Sequence, residues 1–175
     1  VDLDQVRLNA LQVRQYNDAQ LQDLESIIDT VEDFPFATVG LGSGIAERFR
    51  GTPAARVVSL LDSVTGSNAL ERLENLRNIA AEAGQRGSGL GQVTERELAI
   101  LRAARGALSP EQNTELFLQN ARRILTQLQE VRAERRRILA RDFPDIEAAI
   151  YGNDREQARD DAEDAINFFL NQSGG

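Results

Sequence analysis

Two stretches of the chain place apolar residues every three or four positions over several helical turns. The first runs from Leu3 to Val31, and the second runs from Phe117 to Ile138. This spacing puts the apolar side chains on one side of a helix and leaves a seam that a neighbouring helix must cover. The pattern predicts an all-α fold, an elongated multi-helix bundle with two long heptad-patterned helices.

Polar residues interrupt both seams. The seam positions expected to contact a partner helix or a second subunit are Val13, Asn17, Gln20, Leu24, Ile27, Phe117, Ile124, Leu128, Val131, Arg135 and Ile138. A polar side chain at a buried heptad position can fix register and oligomeric state. Asn17 and Gln20 are candidates for that role, and the alternative is that the helix packs loosely there or meets water. Arg135 is expected to meet a carboxylate or to reach the edge of the seam.

Prolines mark the limits of further helices. Phe34-Pro35-Phe36 is expected to end the first long helix, because the residue before a proline avoids the helical conformation. Thr52-Pro53 places an N-cap and a first-turn proline before a helix that runs to about Val64. Helices over about 69–83 and 144–151 and a last helix capped by Asp154 bring the expected total to six or seven.

Glycines are concentrated near the middle of the chain. Residues 85–92 are the predicted hinge between an N-terminal helical region, residues 1–84, and a C-terminal helical region, residues 93–175, although the two regions can also form one continuous domain. After this hinge, Thr94 and Glu97 have the spacing of a capping box that starts a helix, and Gly106 is expected to end that helix.

The glycine-rich segment also carries a resemblance to a known class of protein. Residues 87–129 contain Gly-x-Gly-Gln-x-[Ser/Thr]-x-x-Glu, an apolar helix that glycine closes, and a leucine-rich helix with paired arginines. The matching residues are Gly89, Gly91, Gln92, Thr94, Glu97, Leu98, Leu101, Gly106, Arg122 and Arg123. This run resembles a short module of large virion proteins of tailed bacteriophages, including DNA-ejection and tail-associated structural proteins. The resemblance implies a structural role and names no active site.

The amino-acid composition narrows the chemistry. All 20 basic residues among the 175 are arginine, and the chain has no His, Cys, Met or Trp. These absences exclude a thiolate nucleophile, an imidazole base, a Schiff-base lysine and a zinc site of the usual ligands. A hydrolase with a single catalytic glutamate is an alternative, but capping accounts for Glu97. We therefore expect no enzyme, with no catalytic, cofactor-binding or metal-ligating residues and no cofactor.

The charge of the chain is acidic overall, with a net charge of −8. Attraction of the whole surface to nucleic acid or to an anionic membrane is therefore not expected, and no apolar run is long enough to span a membrane. Arg132, Arg136 and Arg137 belong to the densest basic stretch and are the candidates for transient DNA contact. The favoured alternative is that these arginines pair with acidic helices such as residues 160–164.

These features lead to one leading functional hypothesis. The chain is expected to be a structural component of a tailed-phage virion, a fragment of a DNA-ejection or tail-associated protein that self-assembles and helps form a DNA-delivery conduit. Its expected partners are its own copies as a homo-oligomer, other virion proteins and DNA, with no small-molecule substrate. Its expected location is the phage particle, with delivery into the host cell envelope on infection. The alternatives are a helical adaptor that binds a partner helix and a non-catalytic accessory region of a cell-wall hydrolase.

Overall fold

The chain is all-α. A computed structural model describes residues 2–35, 51–82, 89–109, 111–154 and 159. Its helices are α1 (Leu3–Asp33), α2 (Pro53–Thr65), α3 (Ser67–Glu82), α4 (Leu90–Ala107) and α5 (Thr114–Asp142), and residues 144–154 are also helical and are called α6 here. These described residues contain no strand, and the packing of the helices is that of a helical bundle, which confirms the predicted fold class.

The two helix ends that prolines mark lie where the sequence predicts them. The α1 helix ends at Asp33, and the N–H of Phe34 donates to the carbonyl of Thr30 at 3.1 Å. Thr52 caps α2 by accepting a hydrogen bond from the N–H of Ala55 at 3.2 Å. Local rules for proline and for N-caps therefore explain both ends without reference to tertiary contacts.

The predicted capping box at Thr94 and Glu97 is wrong. Gly89 holds the N-cap position with φ of 85°, so α4 begins at Leu90, ahead of Thr94. A left-handed conformation of this kind suits glycine because it has no Cβ. Thr94 and Glu97 are consequently inside the helix and buried. The helix also runs through Gly106 to Ala107 rather than ending at the glycine.

The chain divides into two compact units, Val1–Arg135 and Arg136–Gly175. The sequence placed its division at residues 85–92, yet α3 and α4 on either side of that segment pack against each other within the first unit. Residues 83–88 lie outside the described residues, and residues 90–92 are helical. The helices that flank the glycine-rich segment therefore share one core.

The core of the first unit takes apolar side chains from all five of its helices. Phe117, Leu24, Ile27, Leu73, Leu98 and Leu101 are fully buried. Acidic and basic side chains pair across the rim of this core, for example Arg132 with Asp18 at 2.7 Å. Helices α1 and α5 are antiparallel, because Arg122 precedes Arg132 on α5 whereas its partner Glu32 follows Asp18 on α1.

The described part of the second unit consists of the end of α5 and α6. Arg136 donates from Nε to Oε1 of the buried Glu147 at 2.7 Å, and its guanidinium lies 4.8 Å from the ring centroid of Tyr151. The prediction that this helix ends at about 151 and that Asp154 caps a new one is wrong, because α6 continues through 154. The predicted last helix falls almost wholly outside the described residues.

The junction between α2 and α3 depends on Gly66. A Cβ at this position would overlap the backbone oxygen of Asp62, whereas a Cβ at Gly106 would meet nothing within 4 Å. Gly66→Ala is therefore expected to lower the free energy of unfolding by about 1–3 kcal/mol. Gly106→Ala lies inside α4 and is expected to raise it by about 0.5–1 kcal/mol. Urea unfolding of the two variants measures both changes. Equal changes in the free energy of unfolding would contradict the different roles of Gly66 and Gly106.

Candidate functional site

The seam residues form the core of a single chain. The structure buries Val13, Asn17, Gln20, Leu24, Ile27, Phe117, Ile124, Leu128, Val131 and Arg135 within the first unit. Ile138 belongs to the second unit and is half-buried, while its neighbour Leu139 is buried. Helices of the same chain cover the ten buried seam residues, so these side chains are core residues of the first unit. Self-association through other surfaces stays a prediction.

A cluster of polar side chains joins three helices in the middle of this core. Asn17 comes from α1, Thr94 and Glu97 from α4, and Arg135 from α5. Arg135 donates from Nη2 to Oε2 of Glu97 at 2.7 Å and from Nη1 to Oδ1 of Asn17 at 3.2 Å. Asn17 donates from Nδ2 to Oε1 of Glu97 at 3.1 Å. These three bonds close a ring, which we call the Asn17–Glu97–Arg135 cluster.

Thr94 adds a fourth contact to this ring. Its hydroxyl donates to the carbonyl of Leu90 at 3.0 Å and accepts a hydrogen bond from Nη2 of Arg135 at 3.4 Å. Thr94 and Glu97 are also the threonine and the glutamate of the motif that carries the resemblance. In the structure both side chains contact Arg135, and neither caps a helix.

The ion pair in the cluster is almost completely buried from solvent. The side chains of Arg135 and Glu97 are only 5% and 1% exposed. Across the described residues, the one buried side-chain nitrogen or oxygen without a hydrogen bond is Oδ1 of Asp18, which the Arg132 guanidinium nevertheless approaches to 2.7 Å. A buried ion pair is tolerated when its remaining polar atoms have partners, and losing one member is then costly. This degree of burial is typical of a structural core pair.

The prediction that Arg135 meets a carboxylate or reaches the edge of its seam is confirmed in the first form. The sequence reasoning missed the identity of that carboxylate. Glu97 lies seven residues after Leu90 and seven before Ala104, and both of these residues are buried on the same face of α4. A heptad reading of α4, like the one applied to α5, would have marked Glu97 as a buried acid.

A second polar group fixes α1 against α2 and α3. The Tyr16 hydroxyl donates to the carbonyl of Ala69 at 2.8 Å and accepts a hydrogen bond from Nε2 of Gln20 at 2.9 Å. Nearer the start of α1, Asn9 donates to the carbonyl of Leu76 at 3.0 Å. Gln20 is therefore buried and hydrogen-bonded, and not loosely packed or exposed to water. The sequence reasoning did not single out Tyr16 or Asn9, since neither residue type distinguishes a core position from a surface one.

The environment of Tyr16 predicts a loss of stability at alkaline pH. Burial raises the pKa of the Tyr16 hydroxyl, and the nearby Glu97 carboxylate raises it further. The folded state thus holds this proton more tightly than the unfolded state, whose tyrosines titrate near about pH 10. The stabilisation is complete below that pH and is lost as the pH rises above it. We expect the free energy of unfolding to fall as the pH rises above about 10.

Urea unfolding across this pH range tests the Tyr16 contribution. Tyr16→Phe is expected to remove most of the alkaline decrease, although it costs about 1 kcal/mol at neutral pH through lost hydrogen bonds. Tyr151→Phe is the matched control, because it changes the other tyrosine of the chain and leaves Tyr16 in place. The same alkaline decrease in Tyr16→Phe as in the wild type would show that another group causes it.

The candidate DNA-binding arginines are partly neutralised by neighbouring acids. Arg132 pairs with Asp18, and Arg136 pairs with Glu147. The favoured alternative predicted that these arginines pair with acidic residues, although it named residues 160–164 as an example. Arg137 is exposed. The acidic residues 160–164, which were expected to be the partners, lie outside the described residues. DNA contact by Arg132, Arg136 and Arg137 stays a prediction.

One open cavity of about 600 Å³ lies between the end of α1 and the start of α2. Its lining includes Asp29, Thr30, Phe34, Thr52 and Arg56. Within residues 2–35, 51–82, 89–109 and 111–154, no group of three or more acids could hold a metal ion. In the same parts of the chain, no helix has the length and apolar character to cross a membrane.

No protein-family model, no curated protein and no solved structure matches the chain. The function proposed below is therefore inferred from the geometry of the core and from the resemblance of residues 87–129.

Proposed function

We propose that the chain is a non-catalytic structural component of a tailed-phage virion. It would be a fragment of a DNA-ejection or tail-associated protein that assembles with its own copies and with other virion proteins and helps form a DNA-delivery conduit. In this proposal the protein resides in the phage particle and enters the host cell envelope on infection.

The observation that carries the structural part of this proposal is the Asn17–Glu97–Arg135 cluster. Its charged groups are buried and satisfy one another at 2.7–3.2 Å. Charged groups of an enzyme usually meet in a cleft that a substrate can enter, whereas these groups connect three helices inside the core. That use of charge supports a scaffold rather than a catalyst.

The outer surface supports contact with other molecules. Leu3, Leu8 and Leu11 are 61%, 49% and 40% exposed on the first turns of α1. Leu116, at the start of α5, is 44% exposed. A contiguous exposed apolar surface often marks a contact site, and Leu8 and Leu11 lie one turn apart on α1. Assembly in this proposal therefore uses the outside of the bundle and leaves the seams closed. The net charge of −8 fits a conduit wall that does not hold DNA.

The same exposed leucines favour a second candidate, a helical adaptor. In that case the N-terminal turns of α1 would bind one apolar helix of a partner protein rather than a copy of the chain. The adaptor would be a monomer by itself, and this property separates the two candidates.

Native mass and electron microscopy test the proposal together. Light scattering at several protein concentrations is expected to give a discrete multi-subunit assembly, and electron microscopy is expected to show closed rings or tubes. Leu8→Ser with Leu11→Ser is expected to dissociate that assembly without unfolding it, and Glu25→Ser with Asp29→Ser on the polar part of α1 is the matched control.

Two results would count against the proposal. A monomer whose mass does not change with concentration would contradict self-assembly of this chain and would favour the adaptor. Assembly that survives the two leucine substitutions would place the contact elsewhere on the surface.

A further inference from the structure

The apolar contacts of α1 and α5 repeat with a period of seven residues. On α5, Phe117, Ile124, Val131 and Ile138 are spaced by seven, and Ala121 and Leu128 precede Arg135 by multiples of seven. Sliding α5 by one heptad, about 10 Å along its axis, would therefore place apolar residues against apolar residues again. Shape and hydrophobicity alone discriminate weakly between these registers.

Arg135 breaks this equivalence. In the observed register its guanidinium reaches Glu97 and Asn17, which lie on two different helices. One heptad away in either direction, the guanidinium would be buried without a carboxylate, and Glu97 would be buried without a cation. Pairing of the α5 seam with a parallel second copy would bring Arg135 against its equivalent, which places like charges together.

The remaining polar contacts between α1 and α5 are weaker determinants. Arg132 with Asp18 and Arg122 with Glu32 are ion pairs whose side chains are 35% or more exposed. Solvent-exposed pairs contribute little to stability, and long side chains can find new partners after a shift. Tyr16 and Asn9 donate hydrogen bonds to carbonyls of α3, so these two bonds attach α1 to α3.

We propose that the Asn17–Glu97–Arg135 cluster sets the register of α5 against α1 and α4 and keeps the α5 seam from pairing with another copy. The cluster thereby decides which apolar surfaces of the chain are closed and which are left for assembly. This role is independent of the virion proposal, because it concerns the fold of one chain and would hold equally for an adaptor.

The absence of cysteine from the chain makes the register measurable. Cysteines introduced at Asp18 and Arg132 report the observed register when a short bismaleimide joins them. Cysteines at Glu25 and Arg132, or at Leu11 and Arg132, report a shift of one heptad in either direction. In the wild-type cluster we expect the first pair to cross-link at least tenfold more than either shifted pair.

The test compares these yields in the variant Asn17→Leu/Glu97→Leu/Arg135→Met, which replaces the cluster with apolar groups. We expect the ratio of observed to shifted cross-links to fall at least threefold, and covalent dimers through position 132 to appear on denaturing gels. The matched control is Gln22→Leu/Glu95→Leu/Arg96→Met, which makes comparable changes at exposed positions, and we expect it to keep the wild-type ratio.

A second variant keeps the test decisive if the apolar cluster does not fold. Asn17→Leu keeps the ion pair and removes only the α1 member, so the ratio for α1 against α5 should again fall. An unchanged ratio in either folded variant overturns the proposal. An equal fall in the exposed control overturns it too, because register would then depend on general surface polarity.

Discussion

Replacing Glu97 with leucine is expected to lower the free energy of unfolding by about 3–5 kcal/mol. The substitution would leave the Arg135 guanidinium, now 2.7 Å from the Glu97 carboxylate, buried without an anion. Asn17 would lose the acceptor of its amide N–H at the same time. Such a loss is a large share of the stability of an ordinary domain, so the variant should be partly unfolded at physiological temperature. Urea unfolding followed by circular dichroism measures the change.

Glu95→Leu is the control for that result. Glu95 lies two residues earlier on α4, its side chain is 67% exposed, and it pairs with Arg77 at 3.5 Å. Because exposed ion pairs contribute little, we expect a change within about 0.5 kcal/mol. Equal losses from Glu95→Leu and Glu97→Leu would mean that the introduced leucine destabilises α4, and the ion pair would then have no special weight.

Phe117→Ala is expected to cost about 3–5 kcal/mol as well, for a different reason. Among the residues that the structure describes, Phe117 is the largest fully buried side chain, and it has no exposed surface. Removing its ring leaves a cavity at the start of α5, where the helix meets the rest of the core. The denaturant midpoint should therefore shift markedly, while the dependence of the free energy on denaturant stays the same.

Leu116→Ala tests whether burial causes that loss. Leu116 is the preceding residue of the same helix and is 44% exposed. Its truncation is expected to change the free energy of unfolding by less than about 1 kcal/mol. A comparable loss at Leu116 would indicate that the start of α5 is stabilised by something other than the apolar core.

The long helices and their ends could be predicted from the sequence because they depend on local rules. Pro35 and Thr52-Pro53 set the end of α1 and the start of α2, and heptad spacing identified α1 and α5. The partner of each seam could not be predicted in the same way. Heptad spacing states that a helix must be covered, and it does not state whether another segment or another copy covers it.

The cluster shows where a local signal misled the prediction. Thr94 and Glu97 have the spacing of a capping box, but the glycine at position 89 starts the helix before them. Capping contributes about 1 kcal/mol, whereas a buried arginine without its carboxylate costs several times as much. The ion pair of Glu97 with Arg135 therefore contributes more to stability than Glu97 would contribute as part of a capping box. The composition identifies the residue type of the partner of Glu97, since arginine is the only basic residue type of the chain.

A double-mutant cycle between Glu97→Leu and Arg135→Met tests the central structural claim most directly, because the two changes together remove both charges from the core. We expect each single variant to lose several kcal/mol and the double variant to regain much of that loss, with a coupling energy of about 3 kcal/mol. A coupling energy below about 0.5 kcal/mol, with the two losses simply adding, would show that Glu97 and Arg135 do not act as a buried pair.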